Sequence, residues 1–294
     1  MIFSAEMDNA RKYGYEFEIL WGYTFKPRNI FSDYVQTMYN LRLQYPKSNP
    51  MNLISKMLLN SPYGRFGMND SFPSIEIISN KEALKFIDEF KGEIHDVVDW
   101  GDKNMIIYRT LQADINTMVD GCSETHNVSV AVAAAITAYA RIHMSQFKNN
   151  PNFNLYYSDT DSIYIDKELA DYMISKTILG KMKLENIITK AIFLAPKLYY
   201  LETVDGEIIY KVKGLSHDIE LTKNDFQNLL IKESFLEKFQ NKWKTFLDRG
   251  HIEILNQMYT LKVTENKRKL IYDNNKLIGT EPYIINEHKE IVNK

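Results

Sequence analysis

The apolar positions of the first 28 residues mix aromatic and β-branched side chains, as in Tyr15 to Tyr23, and predict strand structure packed on another element. From Ser32 to Gln44 the period changes. Tyr34, Met38, Leu41 and Tyr45 recur at spacings of three and four, which predicts a helix that Ser32 can cap and Pro46 ends. Lys47-Ser48-Asn49-Pro50 is turn chemistry, and Asn49 before Pro50 is a cap and first-turn pair for a second helix reaching about Gly64. Two helices joined by so short a turn are expected to lie antiparallel as a hairpin.

Residues 69 to 122 carry short mixed patterns, with Gly92, Gly101 and Gly121 as breaks. Ser123 to Phe147 is alanine-rich and predicts a helix whose small residues permit close packing; Asn149, Asn150 and Pro151 stop it. Phe153 to Ile165 predicts a hairpin of two strands, and lysine-rich strands follow around Leu198 to Tyr210. Residues 216 to 294 read as a separate small helical lobe with polar ends. No internal repeat or low-complexity tract interrupts the chain.

With 294 residues, 45% of them apolar, the chain can bury one large core or two modest ones. The weakly polar stretch Val128 to Ala140 is broken by Ser129, Thr137 and Tyr139 and falls well short of the roughly 20 residues that cross a bilayer, so no membrane span is expected. No basic segment followed by an apolar run opens the chain, and Glu6 and Asp8 are acidic, so no targeting peptide is expected either. An organellar location would then imply synthesis inside the organelle. Cys122 is the only cysteine, which excludes an internal disulfide.

The formal net charge of −2 is low for a protein that binds nucleic acid, but its distribution is uneven. Glu82, Asp88, Glu89, Glu93, Asp96, Asp99 and Asp102 make residues 81 to 103 acidic. Beyond residue 176, lysines recur beside aromatics: Lys181, Lys183, Lys190, Lys197, Lys211, Lys213, then Lys262, Lys267, Arg268 and Lys269. Local fields of that kind can hold a phosphate backbone, and solvated lysine faces are the plain alternative.

Two segments carry candidate chemistry. In Lys56-Met57-Leu58-Leu59-Asn60-Ser61-Pro62-Tyr63-Gly64, a helical turn of about 100° per residue places Lys56, Asn60, Tyr63 and Gly64 on one arc. A cation, an amide, a ring and a gap suit a nucleoside triphosphate, although an amphipathic structural helix would show a similar face. Pro62 predicts a kink or an end. In Tyr156-Tyr157-Ser158-Asp159-Thr160-Asp161-Ser162-Ile163-Tyr164-Ile165, two carboxylates sit at a hairpin tip, where they repel unless a cation neutralises them. Oxygen ligands of this type suit magnesium. A calcium loop would need further oxygens and a glycine where Ile163 and Tyr164 stand, and a polar turn with no metal is the remaining reading.

In this order, Lys-x-x-x-Asn-Ser-x-Tyr-Gly and Tyr-x-Asp-Thr-Asp-Ser resemble the second and third motifs of family B DNA polymerases. Lys197-Leu198-Tyr199, about forty residues after the aspartates and followed by Lys211 and Lys213, is similar to the family's lysine-x-tyrosine primer-contact motif. Tyr63-Gly64-Arg65-Phe66-Gly67 and Ala195-Pro196-Lys197 resemble the protein-primed branch of linear mitochondrial plasmids and some phages.

The resemblance implies an α+β fold, a partial polymerase right hand: palm at 1–28 and 123–215, a fingers helical hairpin at 29–68, a strand-displacement type insertion at 69–122, and a thumb-like lobe at 216–294. It implies that Asp161 ligates catalytic Mg2+ in a two-ion site, with Asp159 supporting it. Lys56 would contact the triphosphate of a dNTP, with Arg42 as a second phosphate ligand. Asn60 and Tyr63 would line the nascent base pair, beside the gap at Gly64. Lys197, Tyr199, Lys211 and Lys213 would hold the DNA primer-template. The reaction would be nucleotidyl transfer, with one metal activating the primer hydroxyl and the other steadying pyrophosphate. A terminal protein and an amino-terminal polymerase part are the implied partners. A mitochondrial location fits a chain rich in Asn, Ile, Lys and Tyr, the mark of an AT-rich gene.

The family's first polymerase motif, an aspartate followed closely by Ser-Leu-Tyr-Pro, has no counterpart here. Leu43-Gln44-Tyr45-Pro46 lies ten residues before Lys56 and lacks the aspartate, and the exonuclease motifs are missing too. The expectation is therefore the carboxy-terminal part of a longer enzyme, one metal carboxylate short and inactive alone. A truncated reading frame, a split enzyme and a non-catalytic DNA-binding remnant all satisfy it. A lysine and aromatic single-strand binding module is a rival of another class. Reverse transcriptase and cyclase palms share acidic hairpins but leave residues 56 to 64 unexplained.

Overall fold

The computed structural model describes residues 2–68, 73–110, 128–247, 250–265, 268–284, 286, 290 and 291. Two compact units divide the chain, Met1–Asn152 and Phe153–Lys294.

The first unit opens on α1 (Ser4–Arg11), which packs on α5 (Val130–Lys148). Arg141 donates to both carboxylate oxygens of Glu6, at 2.5 and 2.7 Å, and Asn9 donates to the Ser145 hydroxyl at 3.0 Å. The strand expected over Tyr15 to Tyr23 does not form. That stretch has no regular structure, and Tyr15, Ile19, Leu20, Trp21 and Tyr23 are exposed. Aromatic and β-branched composition fits a pleated, half-buried surface, and here no described strand pairs with the segment to supply one.

The helical hairpin forms as expected, with α2 at Ser32–Gln44 and α3 at Pro50–Phe66. Ser32 is the first helical residue rather than the cap; its hydroxyl donates to Asn29 Oδ1 at 2.7 Å. Asn49 does cap α3, accepting from the Met51 N–H at 2.9 Å. Side chains fix the antiparallel pairing at both ends. Asn52 Nδ2 donates to the Arg42 and Tyr45 carbonyls, each at 2.9 Å, and the Tyr34 hydroxyl donates to the Leu58 carbonyl at 2.8 Å. Fully buried Ser55 turns its hydroxyl back onto the Met51 carbonyl at 2.7 Å. Pro62 does not end the helix, which continues to Phe66.

The end of α3 meets α5 closely, as the alanine-rich pattern predicts. A Cβ on Gly67 would stand 3.1 Å from the Ala133 Cβ, and the Ser129 N–H donates to the Phe66 carbonyl at 2.9 Å. The expected helical residues 123 to 127 lie outside the described residues, as do Cys122 and Lys267. Between the hairpin and α5, β1 (Ser74–Ser79), α4 (Asn80–Glu89), β2 (Gly92–Asp99) and β3 (Lys103–Thr110) build a three-stranded antiparallel sheet in the order β1-β3-β2. A Ser79–Glu82 capping box starts α4.

The second unit begins with the expected hairpin, β4 (Leu155–Asp159) and β5 (Ser162–Ile165). A three-stranded antiparallel sheet follows: β6 (Ile188–Ala195), β7 (Leu198–Thr203) and β8 (Ile208–Val212). Leu194, Leu198 and Tyr200 bury one face of it against Phe226 of α6 (Lys223–Asn228), with Leu221, Leu229, Leu261 and Leu277 completing the core. The helical lobe expected over 216 to 294 is corrected. Beyond α6, the described residues form two β-hairpins, β9 (Phe235–Phe246) with β10 (His251–Lys262) and β11 (Arg268–Asp273) with β12 (Lys276–Pro282). The period-two pattern was diluted by lysine and asparagine: Leu236 and Gln240 turn inward while Phe239 and Trp243 stay exposed. Among the described residues no helix is long and apolar enough to cross a membrane. The architecture is α+β with antiparallel sheets, as the sequence implies.

Candidate functional site

The acidic hairpin turns through Thr160 and Asp161, and Thr160 adopts φ +54°, a left-handed conformation that a β-branched residue rarely takes. Asp159 closes β4 half-buried, and Asp161 is exposed in the turn. Aromatic side chains seat this hairpin on the sheet face opposite the core. Tyr157 stacks on Phe193 with ring centroids 5.1 Å apart, and Tyr164 and Tyr199 close around them. Burial, and then the Tyr199 hydroxyl 3.4 Å away, push the Tyr164 phenol well above its ordinary pKa, so it stays a neutral donor.

Lys197 lies in the turn between β6 and β7 at φ +60° and is held at three points. Its N–H donates to the Tyr157 hydroxyl at 2.9 Å, its carbonyl accepts from the Lys213 N–H at 2.9 Å, and its ammonium reaches Asp159 Oδ2 at 2.5 Å. That carboxylate raises the pKa of the Lys197 ammonium. Backbone in a sparsely populated region persists where the surroundings over-determine it, as these three bonds do.

A cleft of about 340 Å³ opens here, lined by Asp159, Lys197, Tyr199, Lys211, Lys213 and His217 among others. Five of the residues singled out from sequence thus converge, although Asp159 and Lys213 are far apart along the chain. Tyr199 and Lys211 are cross-strand partners on β7 and β8. Lys56, Asn60, Tyr63 and Gly64 belong to the first unit and are exposed on α3, as are Ile54, Leu58 and Ser61 around the rest of the helix. A Cβ on Gly64 would meet nothing within 4 Å, so the gap faces open space. Arg42 is half-buried on α2, its carbonyl bound by Asn52 one turn before Lys56.

The donor set fits magnesium in part. Two carboxylates on one tight turn are the hard oxygen ligands that magnesium takes before water and phosphates complete its shell. Among the described residues no group of three or more His, Cys, Asp or Glu side chains could hold a metal. At Asp159 the positive charge in place is the Lys197 ammonium.

Sequence reasoning missed several participants. Tyr157 and Phe193 were unassigned, and Ser216 and His217 at the cleft rim follow Lys213-Gly214-Leu215, a signal that could have extended the lysine pair. Gln240 and Tyr259, remote in sequence, reach the same turn.

Residues 1–153 match the model of the family described as DNA polymerase type B, organellar and viral. A probable DNA polymerase of Neurospora intermedia is 36% identical over 86% of this chain and 26% of its own length. A probable DNA polymerase of Ascobolus immersus is 32% identical over 98% of this chain and 24% of its own. The DNA polymerase of Streptococcus phage Cp-1 is 28% identical over 73% of this chain and 33% of its own. The chain therefore spans about a quarter to a third of the length of these curated relatives. No solved structure matches it. With the match running over half of its residues and the relatives aligned along most of the rest, the chain belongs to the organellar and viral type B DNA polymerases.

Proposed function

We propose that this chain carries the nucleotide-gripping and primer-holding parts of a DNA-directed DNA polymerase that transfers dNMP units to a primer. The observation that carries this reading is the convergence of Asp159 with Lys197, Tyr199, Lys211 and Lys213 on one cleft of the second unit. Four of these groups suit a nucleic-acid backbone: three ammonium groups for phosphates and a ring for a sugar or base. Asp159 and Asp161 hold their share of two Mg2+ ions, and when bound the metals supply the charge that activates the primer hydroxyl and steadies pyrophosphate. Lys56 and Arg42 take the triphosphate, Asn60 and Tyr63 the base pair. In the same reading α2 and α3 are fingers, residues 69–122 the insertion, and β9 to β12 the thumb. The third carboxylate comes from sequence outside these 294 residues, which are inactive without it.

The finer reading, a mitochondrial replicon primed by a terminal protein, rests on the resemblance of Tyr63-Gly64-Arg65-Phe66-Gly67 and Ala195-Pro196-Lys197 to the protein-primed branch. The test is to join the chain to the first-motif region of the Neurospora intermedia relative and assay template-directed primer extension. Magnesium-dependent extension that falls about 100-fold or more in Asp161→Ala and Lys56→Ala supports the reading. DNA binding without extension, unaltered by Asp161→Ala, would favour a non-catalytic remnant instead.

A further inference from the structure

Lys213 directly follows the strand that brings Lys211 to the cleft, and the chain turns sharply through Gly214, at φ +87°, to Ser216 and His217. The turn has a bond of its own, from the Leu215 N–H to the Val212 carbonyl at 3.4 Å, and is held from outside as well. Gln240 of β9, 4% exposed, reaches it with both ends of its amide: Oε1 accepts from the Ser216 N–H at 2.9 Å and Nε2 donates to the Gly214 carbonyl at 3.1 Å. Two residue pairs away on β10, the Tyr259 hydroxyl donates to the Lys213 carbonyl and packs against Gly214, where an added Cβ would stand 3.0 Å from the hydroxyl oxygen. On the other side the Lys213 N–H is tied to the Lys197 carbonyl.

We propose that Gln240 and Tyr259 are positioning residues for the primer site, setting the Lys213-to-His217 turn so that Lys213 and the rim face a DNA phosphate. This rests on the DNA-binding reading given above. A buried amide satisfied at both ends has one orientation, and a carbonyl bonded to Tyr259 fixes the peptide plane from which the Lys213 side chain departs. The hairpin β9–β10 thereby reports directly to the cleft: whatever bends that hairpin moves a lysine of the primer site.

The test is fluorescence anisotropy of the full 294-residue chain with a labelled primer-template duplex across a range of KCl, alongside thermal unfolding. Gln240→Met and Tyr259→Phe should each weaken binding about threefold to tenfold, the equivalent of one lost hydrogen bond. The salt slope should also fall by about one phosphate contact, which a merely structural role would not change. In a Lys213→Ala background, Gln240→Met should add nothing. If Lys213→Ala weakens binding while both variants bind as the wild type does, or if their losses simply add to that of Lys213→Ala, the inference falls alone. A wild-type chain without salt-dependent binding overturns the DNA reading and this inference with it. Should Gln240→Met fail to fold, Tyr259→Phe decides the matter, since it removes a single hydroxyl.

Discussion

The Tyr34 hydroxyl donates at 2.8 Å to the carbonyl of Leu58, the group that Pro62 leaves without a helical donor. In an uninterrupted helix the N–H four residues on would serve that carbonyl, and proline has none. The neighbouring helix supplies the missing bond. This explains why α3 runs through Pro62 to Phe66 and keeps Lys56, Asn60, Tyr63 and Gly64 on one exposed face.

Tyr34→Phe should cost about 0.5–1.5 kcal/mol of stability, the net worth of one hydrogen bond. Pro62→Ala restores the internal donor, so Tyr34→Phe should cost clearly less in that background. Chemical denaturation of the four proteins of the cycle reads the coupling. Equal costs in both backgrounds would mean that the hydroxyl does not compensate for the proline.

The contact of α1 with α5 is expected to weaken in acid. The Arg141 hydrogen bond lowers the Glu6 pKa from its ordinary 4.5, so the carboxylate binds its proton less readily folded than unfolded. A depressed carboxyl contributes stability that is complete above 4.5 and lost as pH falls through the lower folded value. Glu6→Gln should cost up to about 1 kcal/mol at pH 7, the worth of a partly exposed pair, and flatten the stability profile below about pH 4.5, so that the two proteins converge in acid. Unfolding midpoints measured from pH 7 down to pH 3 decide this.

Lys197→Ala should weaken primer-template binding on every sequence alike and reduce the salt slope by about one, as loss of a phosphate contact does. Tyr157→Phe removes the oxygen that accepts the Lys197 N–H while leaving the ring stacked on Phe193. It should cost about 1 kcal/mol of stability by loss of one hydrogen bond and weaken DNA binding less than Lys197→Ala does. Filter binding across a salt series separates the two effects.

Local rules made part of this molecule legible. Asn49-Pro50 caps α3, Asp159-Thr160-Asp161 turns a hairpin, and the alanines of α5 admit Gly67, each through chemistry that spans a few residues. The failures were of another kind. Tyr15 to Tyr23 has strand composition and no described strand beside it, which no local pattern reveals. In β9 and β10 the outward face carries Phe239, Trp243, Ile254 and Met258, while the inward face mixes Leu236, Tyr259 and Leu261 with Gln240, Lys238 and Lys242. With apolar residues on both faces, the period-two signal is erased. At the site, motif spacing found the lysines and aspartates, while Gln240 and Tyr259 were hidden because their contacts depend on how the β9–β10 hairpin folds back on the sheet.

The central claim is that the acids of the β4–β5 turn hold a divalent ion beside the lysines of the second unit's cleft. Substituting Mn2+ for Mg2+ in the presence of a dNTP and primer-template, and recording NMR spectra of the labelled chain, tests this directly. Metal-dependent broadening of Lys197 and Tyr199, abolished by Asp161→Ala, is the expected result. Broadening that leaves these cleft residues untouched, or that is unchanged by Asp161→Ala, would contradict the claim.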